Sequence, residues 1–222
     1  MFPTLVKKFL YKQLYSNSQV SFSEVLMRAY LEIGGKIHMF QSTVAIFRAP
    51  SDISSVYGMC CEHIQAMSSW WNGPGRYDCV LVNSDPEIEG VQGFDIAHVF
   101  LFFSLQHGNK VYPCALIQWY SYVNFEPDED TGLWKTTPDA YADGSPWLAV
   151  IHVNAIFRTV HLLSVFDTGE LISRATTMHS CLDTFKTFYV NNFADHHSFA
   201  NLTWEYNWEW ESWHQIGNTI FK

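Results

Sequence analysis

The feature that most constrains the fold of this chain is a pair of long apolar segments around a two-residue turn. Residues 95–105 and 110–123 are both rich in apolar and aromatic side chains, and Gly108-Asn109 lies between them. A Gly-Asn pair between two such runs indicates a β-hairpin. On one face of its first strand we expect Ala97, Val99, Leu101 and Phe103, with Tyr112, Cys114 and Leu116 packed opposite.

The remainder of the chain supplies more strands and a few short helices. Further strands are predicted over residues 36–47, 77–82, 147–153 and 159–166. Helical spacing of apolar residues predicts helices over residues 3–14, 21–33 and 182–193, with one or two helical turns around 59–66. We therefore expect a mainly β fold with flanking α-helices, in the α+β class.

Three regions differ in composition. Residues 1–35 read as a helical N-terminal arm, and residues 36–200 as a β-rich, barrel-like module that ends in a helix. Residues 201–222 form an aromatic tail, with four tryptophans between positions 204 and 213, that we do not expect to be structured. Residues 126–145 are predicted to be a long acidic loop, since six acids there face only Lys135.

The charge distribution limits the choice of partner. The net charge is −9, yet residues 1–50 carry a balance of +4 and the rest a balance of −13. An acidic body repels phosphates, so DNA binding is disfavoured and the basic arm is its only candidate site. The five cysteines are odd in number and irregular in spacing, which indicates reduced thiols and an intracellular location. No apolar run is long enough to predict a membrane span.

No complete catalytic, cofactor or metal motif is found. The nucleophile-elbow, phosphate-loop and dinucleotide-binding patterns are missing, and Cys60-Cys61 matches neither a redox motif nor a zinc half-site. Asp128 to Gly132 is spaced wrongly for a calcium loop, and His196-His197 would diverge on a helix. An enzyme would need a cysteine, such as Cys114 or Cys61, to meet a histidine in space. We predict no catalytic, cofactor-binding or metal-binding residue.

Aromatic side chains near the end of the hairpin are candidates for recognition. Trp119, Tyr120, Tyr122 and Trp134 are expected to be exposed, where they could stack on bases or bind a peptide. Alternation sends half of such residues into the core, so packing is the commoner role for any one of them. The predicted recognition surface comprises Trp119, Tyr122 and Trp134.

Six segments, in order, resemble the C-terminal region of the transposon-derived proteins of Plavaka-type elements in basidiomycete fungi, which are similar to CACTA-class transposons. The resemblance covers about residues 36–199. The segments are FQSTVAIFRAPSDI (40–53), RYDCVLVNSD (76–85), YPCALIQWY (112–120), EPDEDTGLW (126–134), LAVIHVNAIFRTVHL (148–162) and FYVNNFADHH (188–197).

The resemblance implies a non-catalytic accessory module, because the catalytic acids of such proteins belong to an RNase H-like domain upstream. It implies contacts with protein or chromatin and hence an intracellular, nuclear location. Where relatives carry a basic Met-x-Arg-Glu-Arg-Ile-Arg stretch, residues 59–65 here read MCCEHIQ, which weakens phosphate contacts. By fold analogy, the strands over 77–166 resemble a small, partly open barrel of the bromo-adjacent-homology kind. A weak nucleic-acid-binding module and an enzyme of unknown class are the alternatives.

Overall fold

The computed structural model describes residues 1–15, 36–48, 59–84, 90–166, 176–177, 179–203 and 220–221. Its strands are β1 (His38–Phe40), β2 (Ser42–Arg48), β3 (Met59–Met67), β4 (Arg76–Tyr77), β5 (Cys79–Asn83), β6 (Phe94–His107), β7 (Lys110–Tyr122), β8 (Lys135–Pro138), β9 (Leu148–His152), β10 (Ile156–Thr159), β11 (Leu162–Ser164), β12 (Phe188–Val190) and β13 (Ile220–Phe221). Its α-helices are α1 (Phe2–Leu14), α2 (Cys181–Thr184) and α3 (His196–Thr203). The predicted mainly β fold with flanking helices is confirmed.

The β6–β7 hairpin is the longest pairing in the protein and matches its prediction. His107 pairs with Lys110 across the turn, and Gly108 adopts a φ of +59°. That left-handed conformation is open to glycine at no steric cost, which is why Gly-Asn can close the hairpin here.

The predicted face of β6 is wrong beyond its midpoint, because a β-bulge shifts the register between Val99 and Leu101. Ala97 and Val99 face one core, whereas Leu101 and Phe103 face another on the opposite side of the sheet. A bulge inserts one residue and so inverts the alternation that follows it. The predicted partners Tyr112 and Cys114 do pack with Phe103.

Two sheets and three cores make up the described fold. The larger sheet curls into an open half-barrel in the order β10-β5-β6-β7-β8-β12-β11, with β1 also on β6 and β9 also on β7. The smaller sheet, β13-β2-β3-β4, covers one face of it and encloses the first core, around Ile64, Phe102 and Ile117. On the opposite face, α1 covers the third core near the hairpin turn, and α3 contributes to the second core near the other end.

The chain passes between the two sheets at Gln41 and at Asp78. Each of these residues interrupts a segment predicted to be one continuous strand. Gln41 separates β1, in the larger sheet, from β2, in the smaller sheet, and Asp78 separates β4, in the smaller sheet, from β5, in the larger sheet. The Asp78 carboxylate accepts the Gln65 N–H at 2.8 Å, its own N–H donates to Gln65 O at 3.0 Å, and its carbonyl accepts the Val99 N–H at 3.1 Å. Asp78 therefore fastens the corner where β3 and β6 approach each other.

Two predicted helices are wrong. Residues 59–66 form β3, where pairing along all of β2 and burial of Ile64 outweigh any local helical spacing. Of residues 182–193, only the first belong to a helical turn; Phe188 and Val190 lie in β12, buried on one face between β8 and β11. The acidic segment 126–145 is also more ordered than a loop, because it contains β8.

The N-terminal helix predicted over residues 3–14 is present as α1, which buries Val6, Phe9 and Leu10 against the larger sheet. The helix predicted over residues 21–33 and the tryptophan-rich segment 204–213 lie outside the described residues. The proposed boundary near residue 35 stays a prediction. At the other boundary, α3 continues through residue 200 to Thr203, and Ile220–Phe221 of the segment predicted to be unstructured pair with β2 as β13. Within the described part, none of the helices has the length and apolar character needed to cross a bilayer.

Candidate recognition surface

The structure separates the three aromatic residues predicted to form a recognition surface. Tyr122 and Trp134 pack against the second core, with ring centroids 5.5 Å apart in an edge-to-face arrangement. Trp119 packs against the first core, on the opposite face of β7. Trp119 and Tyr122 are three positions apart on β7, and odd and even positions of a strand point to opposite faces of the sheet. Trp119 therefore does not lie in one surface patch with Tyr122 and Trp134.

The side chains of Tyr122 and Tyr120 mainly pack and hydrogen-bond within the protein. The Tyr122 hydroxyl lies 3.0 Å from both the Val91 and the Phe94 carbonyl oxygens, and burial, with the nearby Asp95, raises its pKa. Tyr120, which we expected to be exposed, is only 4% exposed and packs in the second core. Trp119, Tyr122 and Trp134 all keep partly accessible surface, so a role in recognition stays a prediction for them.

A second aromatic pair, not singled out by the sequence, is more exposed. Tyr141 and Trp147 are 46% and 48% exposed, and their rings lie 6.0 Å apart at an angle of 33°. Both belong to the connection between β8 and β9, residues 139–147, which we call the aromatic hairpin. Large aromatic side chains that remain in water contribute little to stability, and tryptophan and tyrosine are enriched where proteins bind partners.

Hydrogen bonds hold the aromatic hairpin in one conformation. The Tyr141 N–H donates to Ser145 O at 2.8 Å, and Ser145 donates both its N–H and its hydroxyl to the Asp143 carboxylate, at 2.9 and 2.6 Å. Gly144 closes the turn with a φ of +82°. The pair Ala140 and Pro146 forms an isolated β-bridge. The two rings are thus presented by an ordered support, which lowers the entropy that binding would otherwise cost.

The base of the aromatic hairpin is anchored on Trp119. The Asp139 N–H donates to Trp119 O at 2.8 Å, the Trp119 N–H donates to Trp147 O at 3.4 Å, and the Trp147 N–H donates to Asp139 O at 2.9 Å. Trp147 therefore stands opposite Trp119 at the end of the β7–β9 ladder. The structure brings this one predicted residue next to the exposed pair.

The surroundings of the aromatic hairpin are acidic. Residues 124–147 contain six acids and a single base, Lys135, which forms an ion pair with Asp128. The Ser145 hydrogen bonds lower the pKa of Asp143, so this carboxylate is ionised at neutral pH. Loss of surrounding water and the negative charge of Asp139 raise the pKa of Asp95, although Asp95 remains at the surface. Asp95, Asp139 and Asp143 thus give this region a negative potential.

Asp128 does not offer its carboxylate to a calcium ion. One oxygen accepts from the Thr131 N–H and hydroxyl, at 3.1 and 2.8 Å, and the other accepts from the Lys135 ammonium. The Lys135 and Thr131 hydrogen bonds lower the pKa of Asp128 to about 2. Lys135 therefore supplies the positive charge that a cation would supply.

The most buried charged cluster surrounds Arg158, which is 3% exposed. Its guanidinium donates to both oxygens of Asp195, at 3.2 and 2.6 Å, lies 3.6 Å from Glu62, and lies 4.6 Å from the Phe47 ring centroid. Glu62 also accepts from the Thr159 N–H at 3.1 Å. These groups tie β2, β3 and β10 to the start of α3. Arg158 Nε has no hydrogen-bond partner among the described residues, but the other polar atoms named here bond to one another, which indicates a structural cluster.

A cysteine and a histidine do lie opposite each other across two strands, as an enzyme hypothesis would require. Cys114 of β7 pairs with His152 of β9. However, burial raises the pKa of Cys114 to about 12, and its thiol donates to Tyr112 O at 3.5 Å. Nδ1 of His152 accepts the Asn154 N–H at 3.2 Å. A catalytic thiol needs a lowered pKa and a free base, so this arrangement favours packing.

Histidine is a common metal ligand, so the positions of the histidines bear on the predicted lack of a metal site. His161 lies 2.9 Å from the Asn191 amide nitrogen, whereas His152 pairs with Cys114, so the two histidines have different partners. His196 and His197 have rings 5.9 Å apart at nearly right angles. Over the described residues, no group of three or more histidine, cysteine, aspartate or glutamate side chains is arranged to hold a metal ion.

Sequence reasoning missed the aromatic hairpin although a signal for it was present. Asp143-Gly144 is a strong turn dipeptide, and Tyr141 and Trp147 flank it at either side of the turn. Treating residues 126–145 as one acidic loop concealed this pattern.

Comparison with known proteins gives no relative from which a role could be transferred: no family model, no curated protein and no solved structure matches this chain.

Proposed function

We propose that this chain is a non-catalytic interaction module that binds a basic segment of a protein partner, of the kind found in chromatin, through the aromatic hairpin. The observation that carries this proposal is the exposed Tyr141–Trp147 pair on an ordered support. Aromatic faces attract lysine and arginine side chains, and each such contact is worth about 0.5–1 kcal/mol at an exposed site.

The charge of the surroundings selects the partner. Asp95, Asp139 and Asp143 would repel phosphates and attract cations, and Lys135 is already occupied by Asp128. An arginine side chain fits both features, because its guanidinium stacks on aromatic rings and pairs with carboxylates. The ordered similarity of six segments to Plavaka-type proteins supports an origin as a transposon-derived accessory module acting in the nucleus.

The test is a titration of the full chain with a labelled eight-residue peptide, acetyl-Arg-Thr-Arg-Thr-Val-Thr-Val-Thr-amide, followed by fluorescence anisotropy. We expect saturable binding that weakens as salt rises from about 50 mM to about 200 mM. A peptide with glutamate in place of arginine is the matched control and should not bind. Equal affinity for both peptides, or no binding of either, would refute the proposal. So would metal-dependent cleavage or joining of DNA by the purified protein, because that would make it an enzyme.

A second candidate, nucleic-acid binding, is favoured by a separate observation at the opposite end of the β6–β7 hairpin. Residues 1–15, 36–40 and 101–114 contain five lysines and no acid. They meet in space, because α1 packs on the turn half of the hairpin and β1 pairs with β6 there. The basic end lies at the start of β7 and the acidic segment follows its end. The 13 residues of β7, at about 3.4 Å per residue, separate the two by about 40 Å.

This second candidate has its own test. Lys8 and Lys12 are exposed on α1, and their joint replacement by glutamate reverses the charge of that helix face. If the basic end binds a DNA duplex, a gel-shift assay at low salt shows a complex that the double variant loses and that disappears steeply with salt. No complex of the unchanged chain at low salt excludes this role.

A further inference from the structure

We infer that the basic partner binds as an added β-strand along the outer edge of β9, directly beside the aromatic hairpin. This inference rests on the proposed function and specifies how the same site takes its peptide. Strand addition uses the backbone groups at an open sheet edge for affinity and alternate side chains for specificity.

The first observation is that no strand among the described residues pairs with the outer edge of β9. Within the described residues, β9 pairs with β7 only. Trp147 O accepts from the Trp119 N–H, so the alternation of an antiparallel ladder directs the N–H and C=O groups of Leu148 and Val150 away from β7. By contrast, the edge at β10 is partly closed, because the Thr159 N–H donates to the Glu62 carboxylate.

The second observation is that β9, although α1 packs against one face of it, has none of the side-chain features that usually protect an edge strand. Leu148, Ala149, Val150 and Ile151 carry no charge, no proline and no bulge, and each is half-buried. Natural proteins protect exposed edges with lysine, proline or bulges to prevent unwanted pairing. An unprotected apolar edge next to exposed aromatic rings is therefore suited to receive another strand.

The charges at the two ends of β9 define the occupant. Trp147 precedes the strand, and Asp139 and Asp143 lie in the same hairpin. At the other end, the positive charge of Lys110 contributes, after burial, to the lowered pKa of His152. An extended segment with its cations at the Trp147 end and uncharged residues at the His152 end is complementary to this edge. The peptide acetyl-Arg-Thr-Arg-Thr-Val-Thr-Val-Thr-amide has that distribution when it runs parallel to β9, with its N-terminal arginines beside Trp147.

The test perturbs the peptide and leaves the protein unchanged. Two versions carry N-methyl groups on alternate amides, one on the odd and one on the even positions. In strand addition only one set of amides faces β9, so we expect one version to lose at least about tenfold in affinity and the other to stay within about threefold. Equal affinities of the two versions would overturn strand addition.

Amide hydrogen exchange, read by NMR for single residues, supplies a second readout. The amides of Leu148 and Val150 should exchange quickly in the free protein and slow by at least about tenfold when the peptide is bound. Those of Ala149 and Ile151, which face β7, should be slow in both states. If the peptide binds without this change, strand addition is wrong while the proposed function stands; if the peptide does not bind, both are wrong.

Discussion

Replacing Asp195 by asparagine tests whether the charged cluster at Arg158 holds the two sheets and α3 together. Arg158 is 3% exposed and donates hydrogen bonds to both oxygens of Asp195, at 3.2 and 2.6 Å; among the described residues, no other carboxylate accepts a hydrogen bond from it. Glu62 lies farther away, at 3.6 Å from Nε. The substitution preserves size and leaves Arg158 with a single, longer ion pair.

The expected loss of stability follows from this geometry. Removing one partner of a fully buried ion pair costs about 3–5 kcal/mol, because the other charge is left uncompensated. The Asp195 side chain is 42% exposed, so water replaces part of its role and we expect about 2–3 kcal/mol. Asparagine still caps α3 through the Ser198 N–H, which Asp195 accepts at 2.7 Å, so loss of the cap does not contribute.

Urea unfolding followed by far-UV circular dichroism measures the effect. Arg158→Met removes the buried charge itself, so we expect it to cost less, about 1 kcal/mol. Glu129→Gln, at an exposed position, is the control and should stay within about 0.5 kcal/mol. If Asp195→Asn costs no more than the control, or less than Arg158→Met, the cluster does not stabilise the fold as argued.

The same substitution predicts a pH dependence. Burial would raise the pKa of Asp195, but the hydrogen bonds of Arg158 and Ser198 and the charge of Arg158 outweigh it and hold the pKa at about 2. A lowered folded-state pKa stabilises above the unfolded value of about 3.9, and this contribution is lost as pH falls towards 2. The stability difference between the natural chain and Asp195→Asn should therefore narrow between about pH 4 and pH 2.

Three further predictions concern strained backbone and buried thiols. Trp71 is 86% exposed at a φ of +51°, so Trp71→Asn should raise the free energy of unfolding, measured with urea, by about 0.5–1 kcal/mol, whereas Trp71→Ala should not raise it. Gly108 has a φ of +59° and open space around it, so Gly108→Ala should cost about 1–2 kcal/mol by backbone strain alone; an unchanged midpoint would contradict the turn geometry. Cys114 is buried with a pKa raised to about 12, so mass spectrometry should show exposed Cys61 alkylated in the native protein and Cys114 only after unfolding.

The sequence predicted the elements whose signal is local. The β6–β7 hairpin follows from two apolar, strand-forming runs on either side of Gly108-Asn109, and α1 follows from apolar spacing after Pro3. The β-bulge at Phe100 has no comparable signal, because any residue can occupy it, and it reverses the faces of Leu101 and Phe103. The register of a long strand therefore depends on its neighbours as well as on its own pattern.

Long-range pairing decided the elements that were predicted wrongly. Residues 59–66 became a strand because β2 pairs with them, and Phe188 entered β12 because β8 and β11 lie on either side. Tyr141 and Trp147 are exposed because they lie in a hairpin whose base is hydrogen-bonded to Trp119. Trp119 is distant in sequence from both ends of that hairpin. Single-sequence patterns do not contain these partners, so the candidate site could be built only from the fold.

The most direct test of recognition by the aromatic hairpin is a double-mutant cycle between Trp147 and the arginines of the peptide. Affinities are measured for the natural chain and Trp147→Ala, each with the arginine peptide and with its threonine-substituted counterpart. A cation held against the indole predicts a coupling of about 0.5–2 kcal/mol, which is about two- to thirtyfold in the ratio of dissociation constants. A coupling of zero, with both chains losing the same factor, would show that Trp147 does not contact the cation and would contradict the proposed function.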